Sequence, residues 1–183
     1  ASSFSLSKLS PCVPISIFPS FSRLCIIDSC SFVNNSALSG RAFYCRGGVI
    51  ANSSFTNTHV SQYGWDMYIE IYTVVSNCVF NHNWADDGWI NDGGDIFSRE
   101  ATIDNCTFDA NYVTTTSTTL WSQGGAIYFR SNNVTVSNSL FKNCWSDKEA
   151  GAIYLCNDKD IQLERDFIIV NTTFINNTAK GEQ

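Results

Sequence analysis

The chain has 183 residues, with 11 Lys+Arg against 17 Asp+Glu and a formal net charge of −6. Only 15% of residues are charged, against roughly 25% in an ordinary soluble domain, while Ser, Thr, Asn and 13 Phe keep the mean hydropathy at −0.07. An isoelectric point near 4.7 argues against nucleic acid as a partner, no apolar run approaches the roughly 18 residues of a membrane span, and the β-branched and aromatic content argues against disorder.

Residues 1–24 are Ser-rich, contain Pro11, Pro14 and Pro19, and match no later unit, so an N-terminal cap or docking segment is expected there. The opening on Ala1 without Met is expected to reflect a signal peptide already removed. From residue 25 to residue 183 the chain reads as repeats. One unit runs apolar, any, Asn, small, any, Phe, then two residues and Asn. It appears at Ile27–Phe32, Ile50–Phe55, Val75–Phe80, Ile103–Phe108, Val136–Phe141 and Ile169–Phe174. A second unit, Gly, any, Ala or Asp, apolar, aromatic, alternates with it at Gly40–Tyr44, Gly64–Tyr68, Gly93–Phe97 and Gly124–Tyr128. The copy at Ala150–Tyr154 has lost the first Gly and kept Gly151.

The Phe positions, 32, 55, 80, 108, 141 and 174, are spaced by 23, 25, 28, 33 and 33 residues. Such a period, built of short strands, predicts a solenoid in which each repeat is one coil. Within a unit the Ile or Val faces inward, Asn turns the corner in the left-handed region, and the small residue and Phe face inward again. Three columns are therefore expected: the six Ile/Val, the six Phe, and a corner of Ser29, Asn52, Asn77, Asn105, Asn138 and Asn171. The corner amides are expected to bond one another along the axis and to be poorly accessible. The expected architecture is an all-β parallel β-helix of about six coils.

The motifs at Gly124–Ile127, Gly151–Ile153, Phe32–Asn35, Phe80–Asn83, Phe108–Asn111 and Phe174–Asn177 resemble the paired GGA[ILV] and FxxN signatures of chlamydial polymorphic outer-membrane protein repeats. The resemblance runs over roughly residues 25–179, with Thr58 and Cys144 departing from the FxxN pattern. It implies a right-handed, single-stranded β-helix, display at the cell surface and an adhesive role.

Eight cysteines without a CxxC pair and only two histidines argue against zinc. Asn34, Asn52, Asn105, Asn133, Asn171 and Asn176 each begin an Asn-x-Ser/Thr triplet, and together with the cysteines they favour an extracellular, oxidising setting with covalent N-glycans. Asn133, in the loop after Tyr128, is the first expected glycan site, followed by Asn34 and Asn176. Cys30, Cys78 and Cys106 share the small inward position. Cys78 and Cys106 lie on consecutive coils, where either a disulfide or two neighbouring thiols fit; Cys25 and Cys45 are a second candidate pair.

The acidic stretch Asp86, Asp87, Asp92 and Asp95 is the candidate Ca²⁺ loop, but it lacks the Asp-x-Asp-x-Asp-Gly spacing and reads first as a solvated connection. Trp65, Trp84, Trp89, Trp121 and Trp145 either stack on sugars or pack loops over the coil. His59 and His82 read as structural or solvated. A glycan-cleaving enzyme would need paired carboxylates from among Asp86, Asp87, Asp92, Asp104 and Asp109, with Arg99. Asp104 and Asp109 fall at variable outward positions, and no enzyme, metal or cofactor is expected. After Asn177 the repeat calls for another Gly unit, so the chain is either part of a longer β-helix or is covered by the N-terminal segment of another copy. The functional expectation is an extracellular structural or adhesive protein, self-associating head-to-tail or holding a surface ligand. The alternative is a carbohydrate-binding or carbohydrate-cleaving β-helix.

Overall fold

A computed structural model describes residues 25–37, 43–45, 47–61, 67–69, 72–86, 91–92, 94–116, 122–130, 133–156 and 166–181. The expected segment at 1–24 lies outside them. Every coil begins with a four-residue strand carrying the Ile/Val position, for example Thr73–Ser76, turns at Asn77, and continues as Val79–Asn81 with the Phe. It turns again at His82 into a third strand, Trp84–Asp86, and returns through a Gly-unit strand, Ile96–Ser98. Stacking these strands builds three six-stranded parallel sheets and a five-stranded Gly-unit sheet, with a two-stranded pair at Asn91–Asp92 and Ser122–Gln123.

The expected columns are in register. Ile27, Ile50, Val75, Ile103, Val136 and Ile169 pair in sequence from coil to coil. So do Phe32, Phe55, Phe80, Phe108, Phe141 and Phe174. The Phe rings stack with centroids 4.5–5.1 Å apart and planes within 11° of parallel. That separation is the strand spacing itself, so like side chains on successive rungs fill the interior with no long-range fitting.

Both corners are left-handed. Ser29, Asn52, Asn77, Asn105, Asn138 and Asn171 have φ between +49° and +55°. The second corner, unseen in the sequence, holds Asn34, Asn57, His82, Ala110, Asn143 and Asn176 at +52° to +56°. It reverses the inward alternation once more and places Ala37, Val60, Ala85, Val113, Ser146 and Ala179 as a further column in the third sheet.

The corner ladder is on the surface, which corrects the expectation that it is inaccessible. Asn52, Asn77, Asn105, Asn138 and Asn171 are exposed, because a left-handed residue between two strands points its side chain outward. Their amides do bond along the axis: Asn77 donates to Asn52 at 3.2 Å and Asn105 to Asn77 at 2.7 Å. Asn138 breaks step and donates to Asp104 at 2.8 Å, since that carboxylate lies beside the corner and attracts the donor more strongly than a neutral amide.

The buried amide ladder is formed instead by the last Asn of FxxN. Asn83 and Asn111 are fully buried. Asn111 accepts the Asn83 backbone N–H at 2.9 Å and donates to the Phe80 carbonyl at 3.1 Å, satisfying two corner groups that no strand reaches. Asn83 does the same one coil earlier, for the Thr58 N–H and the Phe55 carbonyl. Cys144 fills this place in one coil, where its thiol donates to the Phe108 carbonyl at 3.7 Å. Replacing Asn111 by Ala leaves a buried donor and acceptor unpaired and is expected to cost about 2–3 kcal/mol in chemical denaturation. Asn143→Ala, at an exposed corner where Ala110 already sits one rung earlier, loses a surface bond to Asp109 and is expected to cost about 1 kcal/mol.

Candidate functional site

The described acidic residues of the candidate Ca²⁺ loop do not gather. Asp86 lies on the outside of the third sheet and bonds His59 at 2.9 Å, whereas Asp95 is buried and Asp92 belongs to the two-stranded pair. Asp87 lies outside the described residues. Among the described residues no three His, Cys, Asp or Glu side chains gather as a metal site.

Asp104 and Asp109 are separated in the same way. They stand on different sheets, and each is turned to the next coil. Asp104 accepts from the Ser137 hydroxyl at 2.6 Å and from Asn138, and these two bonds hold its carboxyl below the usual range. Burial pushes Asp109 up, but Lys142 at 2.9 Å and Asn143 outweigh it and leave the carboxyl lowered. Arg99 is exposed at the end of the Gly-unit strand.

The outer aromatics form two stacks. His59, Trp84, Tyr112 and Trp145 follow one another up the third sheet with centroids 4.7, 5.9 and 4.7 Å apart and planes within 16°. Lys180 lies 4.3 Å above the Trp145 ring. Tyr68, Phe97, Tyr128 and Tyr154 form the second stack, at 5.0–5.3 Å, on the face of the Gly-unit sheet away from the main core, where the first three are buried and Tyr154 half-buried. The rings of the first stack spend their faces on one another and show their edges to solvent. Trp84 and Trp145 therefore pack the coil surface, and no open face is left to them for a sugar. Trp65, Trp89 and Trp121 lie outside the described residues. His82, a corner residue, bonds its neighbour Asn81 at 2.7 Å.

The cysteines come together where the columns place them. Cys25 opens the first coil and Cys45 closes it, and each thiol shifts the other. The neighbouring Cys25 thiol lowers Cys45 to about 7 against the opposing effect of burial, and Cys45 raises Cys25. Cys78 and Cys106 influence each other in the same way on consecutive coils: the pairing lowers Cys78, and with burial it raises Cys106. All four are thiols in the structure. Cys30 is spaced from Cys78 by the rung of Ser53, whose hydroxyl accepts the Cys30 N–H at 3.1 Å. Burial pushes the Cys144 thiol up to about 12, while Cys12 lies outside the described residues.

In protein from an oxidising host, peptide mapping without reductant is expected to show Cys25–Cys45 and Cys78–Cys106 bridged. The first bridge closes about one coil and should add about 3 kcal/mol. Alkylation of both Cys78 and Cys106 would rule out the axial bridge.

All six sequon asparagines are exposed, but they differ in what their amides do. Asn52 donates to Asp28 at 2.7 Å and Asn105 to Asn77, while Asn171 makes a long bond of 3.5 Å to Asn138. Asn34 uses its oxygen to accept from Asn57, and no described residue bonds the side chain of Asn133 or Asn176.

Stacked parallel sheets, in-register columns and paired left-handed corners define the class: a parallel β-helix solenoid. Residues 15–182 match the family described as a right-handed beta helix region, and the chain belongs to that family. No curated protein matches the chain. No solved structure matches it either.

Proposed function

We propose that this β-helix is a non-enzymatic extracellular protein with a structural and adhesive role, and that it associates end to end through its rungs. The observation that carries the reading is the way one rung covers the next: Val136 and Phe141 are fully buried beneath Ile169 and Phe174, the last described rung, which are 44% and 46% exposed. Any rung offers the repeat's own columns, in the repeat's own register, and the surface complementary to it is another rung of the same kind, of this chain or of a second copy. Between copies such a contact is heterologous, so repeating it without closure produces a filament. The six exposed sequons and the two facing thiol pairs support a secretory setting, and the resemblance to polymorphic outer-membrane protein repeats supports surface display and adhesion.

Sedimentation velocity and electron microscopy of the purified full chain test the reading. Concentration-dependent elongated particles are the expected result. A strictly monomeric particle at high concentration would count against end-to-end association, and turnover of a polysaccharide would overturn the non-enzymatic role.

A further inference from the structure

The outer face of the Ile/Val sheet carries a groove of about 390 Å³, within the roughly 300–1,000 Å³ of small-ligand sites. Its floor is the outward column Val74, Thr102, Thr135 and Ile168, in register across four coils. One side is made by the residues just ahead of the same strands: Tyr72, Glu100, Asn133 and Asp166. The triplet Asn133–Thr135 is therefore an acceptor sequon whose Asn and Thr both line the groove.

Tyr72 is unusual twice over. It is a bulky residue held at φ +45°, where left-handed backbone is costly without a side-chain reason. It is also 78% exposed, and no described ring stacks on it, unlike the aromatics of the two outer stacks. The groove thus holds an exposed aromatic that no described ring covers.

We infer that Asn133 carries an N-linked glycan whose first sugars lie along this groove against Tyr72; the inference rests on the extracellular reading. Asn133 is exposed and its amide is committed to no described partner, so modification breaks no ladder bond. Its Nδ2 takes the anomeric carbon of a lipid-pyrophosphate oligosaccharide donor; the amide gives up one proton and the lipid pyrophosphate leaves. At about 4.8 Å per rung, Tyr72 lies two rungs away, about 10 Å, in reach of the innermost sugars. The β-branched floor and the Tyr72 ring accept the apolar face of a pyranose. Glu100 and Asp166 flank Asn133 as acceptors for the hydroxyl and N-acetyl N–H donors of a neutral N-acetylated sugar, and they disfavour an anionic one.

The test uses the full chain secreted from a glycosylating eukaryotic host, with glycopeptide mass spectrometry and timed endoglycosidase release under native conditions. Asn133 is expected to be occupied, with its glycan released about tenfold more slowly than those at Asn34 or Asn176. Tyr72→Phe should keep the protection. Tyr72→Asn, whose side chain suits the left-handed backbone, should abolish it while the melting temperature holds. Occupancy of Asn34 or Asn176 with Asn133 bare overturns the inference, as does release at Asn133 as fast as at Asn176 in the unmutated chain, a comparison that needs no variant to fold. Glycan at no sequon in the secreted chain would overturn the extracellular reading along with it.

Discussion

Phe108→Ala is expected to destabilise the protein by about 3–5 kcal/mol, seen as a large fall in the urea midpoint. Phe108 is fully buried, with Phe80 stacked on one face at 4.7 Å and Phe141 on the other at 4.5 Å, both within 3° of parallel. Truncation removes both stacking contacts and opens a cavity that neighbouring rungs cannot collapse into, because hydrogen bonds fix their spacing on both sides. A solenoid is held by nearest-neighbour terms, so an interior gap also weakens the coupling between the coils above and below it. The unfolding transition should therefore broaden as well as shift. In the unassociated chain, Phe174→Ala removes the same ring from a rung that is half open and stacked on one side only; its expected cost is about 1 kcal/mol. Equal costs at the two positions would mean that Phe108 is not shielded by its neighbours.

The columns were legible because they repeat the same chemistry at the same place. Ile, Phe and the corner Asn recur at fixed offsets, so the periodicity alone aligned six rungs residue for residue. The second corner carried a weaker version of the same signal: Asn34, Asn57, Asn143 and Asn176 each fall two residues after the Phe, and His82 and Ala110 interrupt the run. The third sheet was hidden because its strands are short and its column is mixed, running Ala, Val, Ala, Val, Ser, Ala.

The role of the FxxN asparagine, by contrast, could have been found. A polar residue at a strictly inward position, replaced only by Thr58 and Cys144, is the signature of a side chain that serves backbone groups at a turn. The outer stacks had a signal too, in His59, Trp84, Tyr112 and Trp145, each four residues after its Phe column member. The groove at Asn133 left no periodic mark, because it depends on which variable outward residues happen to share a face.

Gly125→Ala is expected to be comparably damaging, at about 3 kcal/mol or more, and the reason lies in backbone approach. A Cβ on Gly125 would stand 2.2 Å from the Gly151 carbonyl oxygen and 2.5 Å from that of Trp145. Neither neighbour is a side chain that can swing away; both are main-chain atoms held by coil-to-coil hydrogen bonds. Gly151 is in the same position toward Thr178, with contacts of 2.4–2.5 Å, and Gly94 toward the Gly125 oxygen at 2.4 Å. In the last three Gly units the second glycine, Gly94, Gly125 or Gly151, is therefore the one that lets successive coils close. The first glycine answers a different demand, a left-handed angle: Gly124 has φ +70°, and Ala150 meets the same demand at +53°. The final copy meets both demands, with Gly151 at the close approach and Ala150 at the left-handed angle. Ala150→Gly should then be tolerated and gain about 0.5 kcal/mol, relief of the left-handed alanine outweighing the added freedom of the unfolded chain. Opposite signs for Gly125→Ala and Ala150→Gly in paired thermal melts would separate contact from conformation within one motif. A mild effect at Gly125 would mean that the coils have room to spread.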